Sequence, residues 1–204
     1  MLHARTTLSE AFLGLFFGIL IGFLVAVVMD RFKIAYKAIY PVLVITQTVP
    51  TVAIAPLLVL WLGYGILPKI TLIIITSFFP ITIGLLDGFR NVDKDALNLL
   101  KAMGATKLQS FIHIKLPGSI PHFFSGLRIS VSYSIIGAVV AEWLGGFSGL
   151  GVYMTRVRKS YSYDKMFAVI FFISFISLLL MFGVTLLQKG ITPWDREEKD
   201  KAKG

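Results

Sequence analysis

The sequence predicts an all-α integral membrane protein, a helical bundle of about five transmembrane helices with little left over for a soluble domain. Three observations predict it. Of the residues, 56% are hydrophobic and only 15% are charged; the mean hydropathy is +0.80; and several long stretches contain no Asp, Glu, Lys or Arg. A chain that must cover itself in water has more polar surface than this. A spanning helix needs about 20 apolar residues, because the hydrocarbon is about 30 Å thick and each residue rises about 1.5 Å. Residues 11–29, 38–62, 70–86 and 166–188 meet that length without a charge, and 123–145 is interrupted only by Arg128 and Glu142. Continuous apolar runs, rather than ten-residue alternation, favour helices over barrel strands.

The first run has only Arg5 as a Lys or Arg before it, and it lacks a small-x-small cleavage pattern, so it reads as a retained span rather than a signal peptide. Gly14, Gly18 and Gly22 recur every fourth residue on one face, where missing side chains let another helix approach. The second run carries Thr46, Gln47, Thr48, Pro50 and Thr51, then Pro56. Each proline removes a backbone hydrogen bond, so a kink or break is expected, and the polar cluster belongs in the bundle interior. It reads equally as a kinked packing helix or as part of a translocation path through Gln47, Thr48 and Pro50. A Gly and Pro turn at 63–68 leads to the third run, which Pro80 is expected to interrupt.

The connector 90–122 is long and not loop-like. Ala96, Leu99, Leu100 and Met103 fall at helical spacing before Gly104, a C-terminal cap, and Leu108, Phe111, Ile112 and Lys115 continue the pattern until Pro117 stops it. A short apolar-faced helix outside the membrane must bury that face on its own bundle, at the lipid interface or on a soluble partner. In the fourth run Glu142 is the sharpest ionisable residue, since a carboxylate in a span faces a cavity, a partner or the interface; it is a candidate pathway residue. The connector 145–165 is rich in Gly, Tyr and basic residues, which suits a re-entrant or interfacial segment, and 189–204 is a basic tail.

The net charge of +9 follows topology and gives no reason to expect a nucleic-acid partner. With 31–37, 90–122 and the tail in the cytoplasm, thirteen Lys and Arg lie inside against six outside, which puts the N-terminus outside and the C-terminus inside. No Gly-x-x-x-x-Gly-Lys-Ser/Thr phosphate loop and no His-Glu-x-x-His is present, and Gly146-Phe147-Ser148-Gly149-Leu150 misses the nucleophile elbow at its last position. His3, His113 and His122 are scattered and there is no cysteine, so no metal site and no catalytic centre are expected.

Gly104-Ala105-Thr106 through Ile114-Lys115-Leu116-Pro117 resembles the cytoplasmic "EAA" loop of permease subunits in bacterial ABC importers. Pro121, Gly126-Leu127-Arg128, Ala141-Glu142, Gly149-Leu150-Gly151 and Pro193-Trp194 extend the likeness. Upstream, Gln47-Thr48-Val49-Pro50, Ala55-Pro56-Leu57 and Leu60-Trp61-Leu62-Gly63-Tyr64-Gly65 resemble the nitrate, sulfonate, taurine and thiamine-precursor branch. The resemblance implies one permease domain over residues 1–204 in the bacterial inner membrane, non-catalytic and without cofactor, with ATP bound by a separate cassette subunit. It also implies a second permease copy, in a homodimer, and an extracytoplasmic substrate-binding protein as partners, with the lipid bilayer as solvent. The coupling helix would use Asp95, Ala96, Asn98, Leu100, Gly104, Ala105, Phe111, Ile114, Leu116 and Pro117. Two departures stand out. Asn98, Leu99 and Leu100 replace Glu-Ala-Ala, with Asp95 one turn away as the substitute carboxylate, and the family's six-span core lacks its first span here. A thiamine pyrimidine precursor is the expected cargo, with sulfonate, taurine or nitrate as alternatives. A secondary transporter or channel subunit is the other class of function, and a membrane scaffold a third.

Overall fold

In hydrocarbon every backbone N–H and C=O must find its partner within the protein, so uninterrupted apolar runs wind into helices. The computed structural model describes residues 2–193, and among these the chain forms nine α-helices and one π-helical turn. Trp194 and the tail residues Arg196, Lys199, Lys201 and Lys203 lie outside the described residues. The helices are α1 (Leu2–Arg31), α2 (Lys33–Thr48), α3 (Thr51–Leu62), α4 (Leu67–Arg90), α5 (Lys94–Ala102), α6 (Lys107–Ser110), α7 (Leu116–Gly145), α8 (Leu150–Lys159) and α9 (Tyr163–Ile191), with the π-helical turn at Phe111–Lys115. Helices α1, α4 and α9, and α7 with the turns that lead into it, are each long and apolar enough to cross a membrane. Helices α2 and α3 form a fifth, broken unit, bent by 102°.

Helix α4 is the centre of the bundle, packed against both α1 and α7, which also touch each other. Lipid tails are as apolar as leucine, so helices associate there through close contact and dispersion rather than water exclusion. Small residues provide that contact. Gly14 lies against Ile73, Gly18 against Ser77, and Gly22 against the Phe78 carbonyl and Ile81. At the interface with α7, Gly84 meets the His122 backbone, Gly88 meets Ser119, and Gly126 sits on the Pro80 carbonyl. The Ser130 hydroxyl donates to the Ser77 carbonyl at 2.6 Å, fixing α7 on α4. Leu15, Met29, Ile81, Leu85, Phe89 and Phe124 fill the main core. Helix α9 is peripheral. Only Val169 and Val184 are buried along it, and Phe171, Phe175 and Phe182 face outward.

Prolines act less uniformly than the sequence suggests. Val49 and Pro50 are extended and break α2 from α3, as a lost N–H and the extended preference before proline require. Pro80 and Pro56, by contrast, stay inside unbroken helices. At Pro80 one hydrogen bond is lost, but the turn is clamped by Gly126 across the interface and its neighbours Ser77 and Thr82 return hydroxyl hydrogen bonds to Ile73 and Phe78. Pro117 does not stop the helical pattern either. The chain passes through a π-helical turn, in which the Leu116 N–H reaches the Phe111 carbonyl, and continues directly into α7. The wider turn leaves room for the ring of a proline at the start of α7, where its missing N–H costs least.

Candidate functional site

Three regions hold the candidate residues. At the end of the bundle where α1 finishes, α5 and α6 project with little contact to the rest of the molecule. Local chemistry defines them sharply. The Asp93 side chain accepts from the Asp95 N–H at 2.8 Å and starts α5. At its far end Gly104 adopts φ +83, the Gly104 N–H bonds the Lys101 carbonyl at 2.9 Å, and the Ala105 N–H bonds the Leu100 carbonyl at 3.1 Å. That pair of bonds is a Schellman cap, in which the left-handed residue is glycine for want of a Cβ. Thr106 and Gln109 then form a reciprocal capping box that starts α6.

The caps expose an apolar surface. Leu99 is 66% exposed, Met103 74% and Leu108 67%. Ile112 follows on the π-helical turn, and no residue of α5 is buried. Of the predicted coupling residues, Asp95, Asn98 and Gly104 are exposed, while Ala96, Leu100, Ala105, Ile114 and Pro117 are half-buried. Phe111 and Leu116 do a different job. They pack on the main core, with the Phe111 and Phe89 ring centroids 5.2 Å apart. The helical pattern already contained Leu99, Met103, Leu108 and Ile112, but only the structure shows that the bundle does not cover them.

A second region lies beside the broken span. Thr46, Gln47, Pro50, Thr51, Thr76 and Tyr133 line a groove of about 300 Å³. Gln47 and Tyr133 also border a neighbouring groove of about 370 Å³ that reaches Asp87 and His122. The two together form a tract along the α4 and α7 surface, towards the α5 end, mostly apolar with polar groups from Thr46, Gln47, Thr51 and Tyr133 set into it. Thr48 is exposed and turns its hydroxyl onto the Ile45 carbonyl at 2.8 Å.

Glu142 is not on that tract. Its side chain is buried at the opposite end, 1% exposed, where it accepts from the Thr7 hydroxyl at 2.6 Å and from the Gly151 N–H at 2.6 Å. Thr7 in turn accepts from the Leu150 N–H at 2.8 Å. The carboxylate and hydroxyl thus occupy the free donors at the start of α8, where the helix dipole favours negative charge. Both oxygens of this candidate pathway residue are engaged in holding α8 to α1 and α7. Beside it, Lys69 and Glu10 form a buried pair at 2.6 Å, with side chains 7% and 5% exposed. Lys69, counted among the outer topology charges, is consumed internally. Its partner lies fifty-nine positions away, a distance at which sequence spacing carries no pairing signal. The basic residues Arg156 and Arg158 fall in the last turn of α8 with Lys159.

The fold is thus a multi-span helical bundle with a capped helix at one end whose apolar residues the bundle leaves uncovered. The family is settled by comparison: the chain belongs to the binding-protein-dependent transport system inner membrane component family, whose pattern matches residues 18–193. It is 36% identical over 196 residues to the formylaminopyrimidine transport permease of Halalkalibacterium halodurans, covering 96% of this chain and 78% of that one. It is 40% identical over 185 residues to a probable ABC transporter permease of Haemophilus influenzae, covering 91% and 76%. The fold is also that of a methionine ABC transporter chain in an inward-facing structure, with TM-score 0.78, 19% identity, and 91% and 93% of the two chains covered. The chain is thus a permease subunit of an ABC importer and an inner-membrane component.

Proposed function

We propose that this permease subunit converts ATP hydrolysis on a separate cassette subunit into movement of a small pyrimidine across the membrane. The observation that carries the reading is the exposed apolar face of Leu99, Met103, Leu108 and Ile112, held in shape by Asp93, Gly104 and Thr106. Such a face is costly in water, and a rigid helix that presents it suits insertion into a groove. Helix α5 and its cap would enter the ATP-binding subunit, with Asp95 and Asn98 at the rim. A second copy would lie across the tract that carries Gln47, Thr51 and Tyr133, so that the tract becomes a lined path rather than a lipid-facing groove. Under this reading α5 is cytoplasmic, the N-terminus is outside, and Arg156, Arg158 and Lys159 on α8 face a substrate-loaded binding protein. The charge asymmetry of the connectors supports that orientation. The formylaminopyrimidine permease relative supports a pyrimidine cargo over a sulfonate, taurine or nitrate.

The test is co-expression with the candidate cassette subunit and binding protein, followed by purification and reconstitution. The wild-type complex should retain the ATPase, and uptake of labelled formylaminopyrimidine should need both ATP and the binding protein. Leu99→Asp with Met103→Asp should leave the subunit in the membrane and release the ATPase. Uptake by the subunit alone under an ion gradient would establish a secondary carrier instead, and retention of the ATPase by the double variant would sink the docking surface.

A further inference from the structure

Every side-chain hydrogen bond made by residues 94–115 stays within residues 93–115, with one exception among the described residues: Lys115. Its ammonium donates to both carboxylate oxygens of Asp30, at 2.7 and 2.8 Å. The pair is shielded, with side chains 25% and 16% exposed, so it is less screened than a surface ion pair. Its location is specific. Asp30 is the penultimate residue of α1, and Lys115 is the last residue of the π-helical turn that joins the α5 and α6 segment to α7. π-Helical turns are rare, occur mostly as single turns within α-helices, and are frequent at functional sites.

Helix α1 has no internal proline, and at about 1.5 Å per residue its thirty residues make a rod of about 45 Å. Its two ends are held by different partners: Lys115 at one, and Glu142 and Lys69, through Thr7 and Glu10, at the other. The glycine face between them lies flat on α4. We infer that Asp30 is a positioning residue for coupling, a latch through which displacement of the α5 and α6 segment is carried by Lys115 into α1 and so to the α8 end. The inference rests on the docking of α5 proposed above. It adds that the force leaves that segment through one polar contact to α1 as well as through the covalent chain into α7.

The chain has no cysteine, so one introduced thiol, labelled on this chain before the cassette subunit is added, reports alone. In the complex with the cassette subunit, a bimane label at Phe12→Cys, an exposed site on α1, reads movement of that helix on adding ATP and vanadate, without needing the cargo. Asp30→Asn and Lys115→Gln should each keep the ATPase bound and hydrolysing, while the ATP-dependent change in emission falls at least about fivefold, the lower end of ordinary coupling energies. Asp30→Glu, which keeps the charge, and the exchange Asp30→Lys with Lys115→Asp should restore it. An unchanged signal in both single variants, or a loss that neither charge-restoring variant repairs, overturns the latch. Release of the ATPase by the single variants also overturns it, because the pair would then shape docking and not transmission. A wild-type complex that holds no ATPase removes the docking proposal itself, a failure visible before any variant is made.

Discussion

The Glu142 carboxylate closes on the backbone of Gly151, nine residues further along, with the Gly151 N–H 2.6 Å from its oxygen. Gly149, at φ +132, makes the closure possible, since a Cβ there would fall on the carboxylate itself. A membrane carboxylate is thereby spent on the start of a helix, and α8 is fixed to α7 and, through Thr7, to α1. Removing the side chain leaves the Gly151 N–H without its acceptor and the Thr7 hydroxyl with only the His3 carbonyl at 3.2 Å. Glu142→Ala should therefore destabilise the protein by about 2–4 kcal/mol. Glu142→Gln keeps one acceptor and should lose less. Unfolding of the detergent-solubilised protein measures both, and equal melting of Glu142→Ala and wild type would remove the cap from the account.

The Glu10 and Lys69 pair predicts non-additive substitution. Breaking a buried pair from one side leaves an uncompensated charge, so Lys69→Met or Glu10→Gln alone should each cost about 3–5 kcal/mol. The double variant has no charge left to strand, and should be more stable than the sum of the two by more than about 1 kcal/mol. A double-mutant cycle of chemical stability, read by tryptophan fluorescence, decides it. Additive losses would mean that the two groups do not depend on each other.

Glycines on α1 predict a contrast of position. A side chain at Gly18 would collide with the Ser77 hydroxyl, and one at Gly14 with the Ile73 side chain. Gly190, on α9, meets nothing within 4 Å. Gly18→Leu should force α1 off α4 and lower membrane expression several-fold, by the cost of overpacking a close contact, about 1–3 kcal/mol or more. Gly190→Leu should express like wild type. Quantitative blotting of membrane fractions compares them.

What could be read before the structure divides along physical lines. Spans came from apolar runs, because hydrocarbon makes hydrogen bonding a local matter and composition alone reports it. The end of α5 was legible for the same reason, since Gly104 follows its last helical turn and caps are local. Pro80 misled because its effect depends on Gly126, forty-six positions away, closing over the turn. Glu142 was legible as an ionisable group in a span but not as the mate of Thr7, 135 positions distant, because nothing in the spacing of either residue announces the other. Lys115 was legible as part of a helical stripe but not as the mate of Asp30. The loop motif pointed to the surface that leaves the bundle; it carried no information about what ties that surface back.

Gly104 separates folding from coupling. Its positive φ of +83 is disfavoured for any residue with a Cβ, yet nothing in this chain lies within 4 Å of where one would stand. Gly104→Ala therefore strains only the backbone, at about 1–2 kcal/mol confined to the end of α5, which is not part of the core. Gly104→Trp adds bulk to a surface that is empty in the isolated subunit and is occupied, under the proposed docking, by the cassette subunit. Both variants should reach the membrane and melt within a few degrees of wild type, because α5 contributes no buried residue to the bundle. They should part in the assembled transporter. Gly104→Ala should retain most of the ATP-dependent uptake, whereas Gly104→Trp should hold hydrolysis and uptake apart or lose the ATPase altogether. Normal uptake by Gly104→Trp would show that no partner approaches this turn, and the exposed face of Leu99 and Met103 would then need another explanation.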